Sequence, residues 1–104
     1  MIRHVVMLAL SDDYDADALS EIMIGLANLA GVLPGFTFFE HGLNHDFEGK
    51  SAQYPYGFIC TFTDATALQS YAENAEHRAL GAQLVALCKG GAAGIMVIDL
   101  EVPR

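Results

Sequence analysis

Three residues in this chain carry chemistry that an apolar interior does not require. His77 opens a helical stripe of Leu80, Leu84, Leu87 and Cys88, at the i, i+3, i+7, i+10 spacing that places side chains on one face. It stands where a leucine would ordinarily be. Tyr71 closes the preceding apolar helix, and His4 opens the first strand-like run. An unperturbed imidazole has a pKa near ~6.5 and exchanges protons close to neutrality. A phenol beside it orients the ring or donates to a developing enolate or carbonyl oxygen. Proton abstraction next to a carbonyl is the reaction such a pair suits.

The elements that must position these groups are legible in order. His4–Leu10 is a continuous apolar run and reads as a strand. Asp15 caps a helix that places Leu19, Ile22, Met23, Leu26, Leu29 and Ala30 on one side, with Gly31 as its stop signal. Leu33-Pro34-Gly35 is a turn, Phe36–Leu43 a second strand, and Asn44–Tyr54 a polar loop. In the third strand, Tyr56–Thr63, the residues Tyr56, Phe58, Cys60 and Phe62 share one face. Asp64 caps a short helix carrying Ala65, Leu68, Tyr71 and Ala72, and Asn74–Glu76 breaks it before the helix of His77–Lys89. Glycines 90, 91 and 94 bracket a loop ahead of the last strand, Ile95–Val102. The order β-α-β-β-α-β, its second helix broken in two, predicts an α+β ferredoxin-like sandwich with a four-stranded antiparallel sheet and helices on one face. Residues 1–104 form one domain. The strands are apolar on both faces, so the helix-free face is expected to lie against a second copy, giving a dimeric barrel.

Composition narrows the partners. The 104 residues are 53% hydrophobic and 17% charged, more apolar surface than a small interior hides, which again favours a homodimer. A formal net charge of −8 with only five Lys and Arg argues against nucleic acid and against an anionic membrane surface. No apolar run reaches the ~20 residues of a membrane span, and no basic segment precedes a cleavable apolar one. Cys60 and Cys88 read as reduced core residues of a cytoplasmic protein. No metal site is expected, because His4, His41, His45 and His77 are spread over strand, loop and helix rather than gathered on one helical turn. His41 and His45 lie toward the loop side. Gly90-Gly91-Ala92-Ala93-Gly94 follows a helix and precedes a strand, the reverse of a dinucleotide fingerprint.

The opening Ile2-Arg3-His4-Val5-Val6-Met7-Leu8, the Leu33-Pro34-Gly35 turn, the Gly42-Leu43-Asn44 strand end and the Tyr56–Phe62 strand appear together in one known family. So do Tyr71 followed six places later by His77, and the closing Ile98-Asp99-Leu100-Glu101-Val102-Pro103. In order and spacing the chain resembles the stress-responsive α/β-barrel (Dabb) family of dimeric α+β barrels. The resemblance implies a protomer that dimerises through its sheet. One member, olivetolic acid cyclase, closes a linear polyketide by aldol condensation, with a Tyr and a His at the positions of Tyr71 and His77 as catalytic residues and a pocket histidine at that of His4. The chain departs from that cyclase at Tyr56, where it has a further histidine, and at Leu26, where it has a tyrosine. Asn74-Ala75 replaces the family's common His-Pro.

Alternation places His4, Val6 and Leu8 on one sheet face, beside Tyr56, Phe58 and Cys60 and with Ile95 and Val97. Under the helices of Leu26 and His77 these are expected to line an apolar chamber for a small apolar or aromatic molecule. The leading expectation is a cofactor-independent cyclase or isomerase, with His77 as base and Tyr71 as its acid or orienting partner. The alternatives are a non-catalytic stress-response or carrier dimer, and a cofactor-independent monooxygenase.

Overall fold

A computed structural model describes residues 1–104. The elements run β1 (Ile2–Leu8), α1 (Ala16–Ala30), β2 (Phe36–Leu43), β3 (Tyr56–Phe62), α2 (Ala65–Glu73), α3 (Ala75–Leu87), a 3-10 turn (Gly91–Gly94) and β4 (Ile95–Glu101). The sheet is antiparallel in the order β2-β3-β1-β4. This is the ferredoxin-like arrangement, with the helices packed on one face.

Cross-strand register assigns every strand residue to a face. The helix side holds four rows: Phe36–Phe62–Ile2–Glu101, Phe39–Cys60–His4–Asp99, His41–Phe58–Val6–Val97 and Leu43–Tyr56–Leu8–Ile95. Onto it α1 presents Leu19, Ile22, Met23, Leu26 and Leu29, and with Val6, Leu8, Phe58, Cys60, Phe62, Tyr71 and Leu84 they form the core. The bare side holds Phe38–Thr61–Arg3–Leu100, Glu40–Ile59–Val5–Ile98 and Gly42–Gly57–Met7–Met96. There Phe38, Ile98 and Leu100 remain 57%, 43% and 51% exposed.

Local chemistry explains the helix ends. The Asp15 carboxylate accepts from the backbone of Asp17 and Ala18 at 3.0 and 3.1 Å, and Asp64 from that of Ala67 at 2.9 Å. Asn74 alone makes the break between α2 and α3. Its extended backbone ends one helix while its side-chain oxygen accepts from His77 N–H at 3.0 Å to start the next. The second part of the broken helix therefore begins at Ala75, two residues before the expected start, and His77 lies in its first turn. Gly31 stays right-handed at φ −85°. The left-handed residue of this turn is Gly35 at φ +80°, where a Cβ would stand 2.5 Å from that of Ala67 and 2.7 Å from Thr63 Oγ1.

The first strand also differs from expectation. It begins at Ile2 and ends at Leu8, because the next residues pair elsewhere. Ala9 N–H bonds the Gly94 carbonyl, Lys89 N–H bonds that of Ala9, and Ser11 N–H bonds that of Leu87. Cys60 and Cys88 are both free and buried.

Replacing Asn74 by Ala removes the one side-chain acceptor at the start of α3. Equilibrium denaturation should show a loss of about 1 kcal/mol, largely recovered by Asn74→Asp. An unchanged midpoint for Asn74→Ala would mean that packing alone holds the break.

Candidate functional site

The helix-side row Phe39–Cys60–His4–Asp99 sets an imidazole directly beside a carboxylate. Because His4 and Asp99 are register partners on adjacent strands, their side chains meet. His4 Nδ1 donates to Asp99 Oδ1 at 2.6 Å, which leaves Nε2 as the free nitrogen of that ring. Above this row the last turn of α2 lowers Tyr71 into a nest of aromatic rings, with centroids 5.1 Å from Phe62 and 5.2 Å from Phe36. The break at Asn74 then turns the chain so that the first turn of α3 lays His77 on the other side of the phenol, centroid to centroid at 3.9 Å. His4 approaches the same ring edge-on at 5.9 Å. Tyr71 is thus flanked by both imidazoles.

Tyr71 is 1% exposed, and its hydroxyl accepts from the Cys60 thiol at 3.8 Å rather than bonding either histidine. Burial, reinforced by Cys60, drives the phenol far above its usual range, so it stays neutral. Burial pushes the Cys60 thiol up to about 12 against a smaller opposing effect of the Tyr71 hydrogen bond, which rules out a resting thiolate. Burial also lowers the pKa of His77. The Ala72 backbone opposes that shift without completing a hydrogen bond to Nδ1, and His4 adds to it. His77 Nδ1 is buried with no partner. The result is a neutral imidazole with an unpartnered Nδ1, tilted at 38° against a phenol and close to a second histidine held by a carboxylate.

The helices cover the central strands β1 and β3 more fully than the outer strands β2 and β4. Val97 is 49% exposed although it shares the helix side with buried Val6, and the Asp99 carboxylate is about half exposed. This partly exposed strip of β4 lies beside His4 in the sheet.

The structure brings together His4, Tyr71 and His77. Val6, Leu8, Leu26 and Phe58 are packed into the core, and Ile95 is partly buried against it. The apolar chamber expected beneath the two helices is filled by those side chains. Each of the molecule's three cavities lies elsewhere, and none is lined by His4, Tyr71 or His77. Tyr56 is turned to a separate partner: its hydroxyl donates to His41 Nδ1 at 2.6 Å, so His41 is not a bystander at the loop. His45 stacks on Phe47 at 5.4 Å. Asp99 is the site residue that sequence reasoning missed. Its signal was a lone carboxylate within an apolar final strand, and only the strand order shows which residue it faces.

The Dabb profile, described as a stress responsive A/B barrel domain, matches residues 2–102. A dimeric ferredoxin-like protein of unknown function from Jannaschia sp. CCS1 is 51% identical, over 97% of this chain and 98% of that one, with a TM-score of 0.92. A hydroxynitrile lyase from Passiflora edulis is 12% identical over 99% of this chain and 94% of that one, with a TM-score of 0.81. The cofactor-independent oxygenase SnoaB of Streptomyces nogalater is 14% identical over 99% and 93%, with a TM-score of 0.75. At the identities of the last two the likeness is one of fold. No curated protein matches the chain. The profile match over nearly the whole length, with the fold and the order of its elements, places this chain in the Dabb family of stress-responsive α/β barrels.

Proposed function

We propose that the protein is a homodimer binding a small apolar or aromatic molecule, and that it performs cofactor-independent acid–base chemistry through His77. The observation that supports this reading is the neutral imidazole of His77, centred 3.9 Å from the Tyr71 ring beside the His4–Asp99 pair. A lowered pKa keeps His77 in the form that accepts a proton. The Tyr71 ring fixes the plane of that imidazole, and the imidazolium formed by proton transfer would rest against its π face. Asp99 accepts from His4 Nδ1, so Nε2 presents a lone pair to a ligand hydroxyl. A ligand approaches along the exposed Val97, because Val6, Leu8, Leu26 and Phe58 are closed off in the core. A polyketide-like β-dicarbonyl compound suits these groups. Its acidic C–H gives its proton to His77. The enolate then attacks a second carbonyl of the same molecule, or is reprotonated at another carbon, and the His77 imidazolium returns the proton to the resulting alkoxide or carbon. The outcome is cyclisation or isomerisation.

The sealed Tyr71 hydroxyl makes Tyr71 the orienting partner rather than the acid. The filled interior weighs against a ligand carrier as it does against an enzyme, and favours one competing reading, a non-catalytic stress-response dimer. Turnover of alkyl and aryl 1,3-diketones and linear triketones separates the two. His77→Ala should lower turnover at least about a hundredfold, while Tyr71→Phe, which keeps the stack, should retain most of it. Equal turnover by the native chain and His77→Ala would remove the acid–base role.

Stability should report the same imidazole. Its pKa in the unfolded chain is near ~6.5 and is lower in the fold, so the unfolded state takes up the proton first as pH falls. Both states are neutral there above ~6.5, and stability declines from that pH down to the folded value. In His77→Gln this component of the decline should vanish, and denaturation curves between about pH 7.5 and 5 would show the difference. Identical pH profiles would place His77 in a solvent-like setting.

The dimer is supported by the exposed apolar residues of the bare sheet face and by the dimeric description of the Jannaschia protein. Light scattering on dilute protein should return twice the chain mass.

A further inference from the structure

Beyond Leu8 the chain stays extended but loses one of its two neighbours. Ala9 N–H bonds the Gly94 carbonyl at 2.8 Å, the Ala9 carbonyl takes the Lys89 N–H at 2.8 Å, and Ser11 N–H bonds the Leu87 carbonyl at 2.9 Å. Leu10, between them, forms an antiparallel bridge with Cys88. Ala9 and Ser11 thus use their backbone groups on one edge, and alternation turns the N–H and C=O of Leu10 to the opposite edge. The β1–β3 register, in which Leu8 faces Tyr56, continues so as to set Leu10 opposite Tyr54. That pairing does not form. Tyr54 N–H bonds the Ser51 carbonyl at 3.0 Å, and the Tyr54 carbonyl takes the Asn44 side-chain amide at 2.9 Å. Pro55 beside it has no N–H to offer.

Leu10 is 4% exposed, yet its backbone N–H and C=O bond no other group of the chain. Buried backbone groups are paired almost without exception, so an unmatched donor and acceptor side by side on one residue are a feature that a ligand can read. Between Leu10 and Tyr54 opens a cavity of about 440 Å³, lined by Ala9, Leu10, Asp12, Tyr54, Pro55 and Lys89 among others. On its wall Lys89 Nζ lies 2.9 Å from Asp12 Oδ1. Both side chains are mostly exposed, so the pair contributes little and each member can turn to a new partner. The cavity therefore sets a backbone donor and acceptor, one cation and one anion against the apolar walls of Ala9, Leu10 and Pro55.

In an antiparallel pair an extended residue exchanges two hydrogen bonds with the residue opposite it. The second residue of a dipeptide can make the same exchange, its amide N–H donating to the Leu10 carbonyl and a carboxylate oxygen accepting from the Leu10 N–H. Its carboxylate charge matches Lys89, and the ammonium of its first residue matches Asp12, so no charge is left without a counterpart. A purely apolar molecule would leave the Leu10 pair unsatisfied. We propose that the gap between Leu10 and Tyr54 is a second binding site, which takes an extended zwitterionic dipeptide on the Leu10 backbone with its charged ends on Lys89 and Asp12. The site depends neither on the chemistry of His77 nor on the dimer.

Two dipeptides test the backbone exchange on the native chain. Alanylglycine carries the amide N–H, and alanylsarcosine differs from it only by the methyl group that replaces that hydrogen. Followed by amide NMR of the isotope-labelled protein, alanylglycine should move the Leu10 and Lys89 backbone resonances to saturation at millimolar concentration. Alanylsarcosine should bind at least about tenfold more weakly, because the Leu10 carbonyl then has no donor. No saturable shift at Leu10, or equal affinity for the two dipeptides, would overturn the site. A response centred on His77 instead would place the dipeptide elsewhere and overturn it as well. Lys89→Ala should weaken alanylglycine about threefold or more while Leu10 still responds. An unchanged affinity there would overturn the seat of the carboxylate on Lys89. The comparison of the two dipeptides needs no variant, so it decides the proposal even if Lys89→Ala fails to fold.

Discussion

Four strands that are apolar on both sides, with helices enough for only one, impose the main constraint on this molecule. On the helix side Val6, Leu8, Phe58, Cys60 and Phe62 meet α1 and the two short helices, and the core closes. On the other side Val5, Met7, Ile59, Met96, Ile98 and Leu100 have no element of their own chain to cover them. Apolar area left in water forgoes on the order of 25 cal/mol per Å², so a single protomer is an incomplete solution to its own sequence. A second sheet satisfies the face without any new secondary structure.

The polar groups on the helix side have to live within the same constraint. Placing imidazole and phenol against an aromatic core is costly unless their polar atoms find partners. His4 finds Asp99 across the edge of the sheet, and Tyr71 finds the weaker thiol of Cys60. His77 does not complete the pattern, and its Nδ1 is buried without a partner. The short helices explain why that exception persists. One asparagine both ends α2 and starts α3, so the direction of the chain changes within a residue and His77 is set on the Tyr71 ring. A continuous helix would space the two six residues apart, at different angles around its axis.

β4 joins the two halves of the argument. Its alternation sends Met96, Ile98 and Leu100 to the bare face, and Ile95, Val97 and Asp99 to the side where the histidines sit. One short edge strand thus borders the uncovered apolar face and carries the carboxylate that holds His4. Docking of a second copy against one face therefore bears on the strand that positions Asp99.

Much of this was legible from residue order alone. The element sequence, the boundaries of β2, the Asp15 and Asp64 caps and the stripe from Leu19 to Leu29 follow from periodicities and capping chemistry that act within a few residues. The pairing of Tyr71 with His77 was visible as an interval between two polar residues on apolar faces. Long-range contacts set the remainder. The bulge between Phe36 and Phe38 flips the rest of β2, so Phe39 and His41 face the helices while Phe38 and Glu40 face outward. Simple alternation from Phe36 would assign them the other way, and the His41–Tyr56 bond would not exist. The meeting of His4 with Asp99, ninety-five positions apart, needed the strand order β3-β1-β4. The filling of the expected chamber by Leu26, Leu8 and Phe58 needed the packed volume of the whole core. Sequence determined which residues are apolar, polar or capping, because those properties act locally. Tertiary structure decided which of them touch, because register and packing depend on chain segments that no local pattern connects.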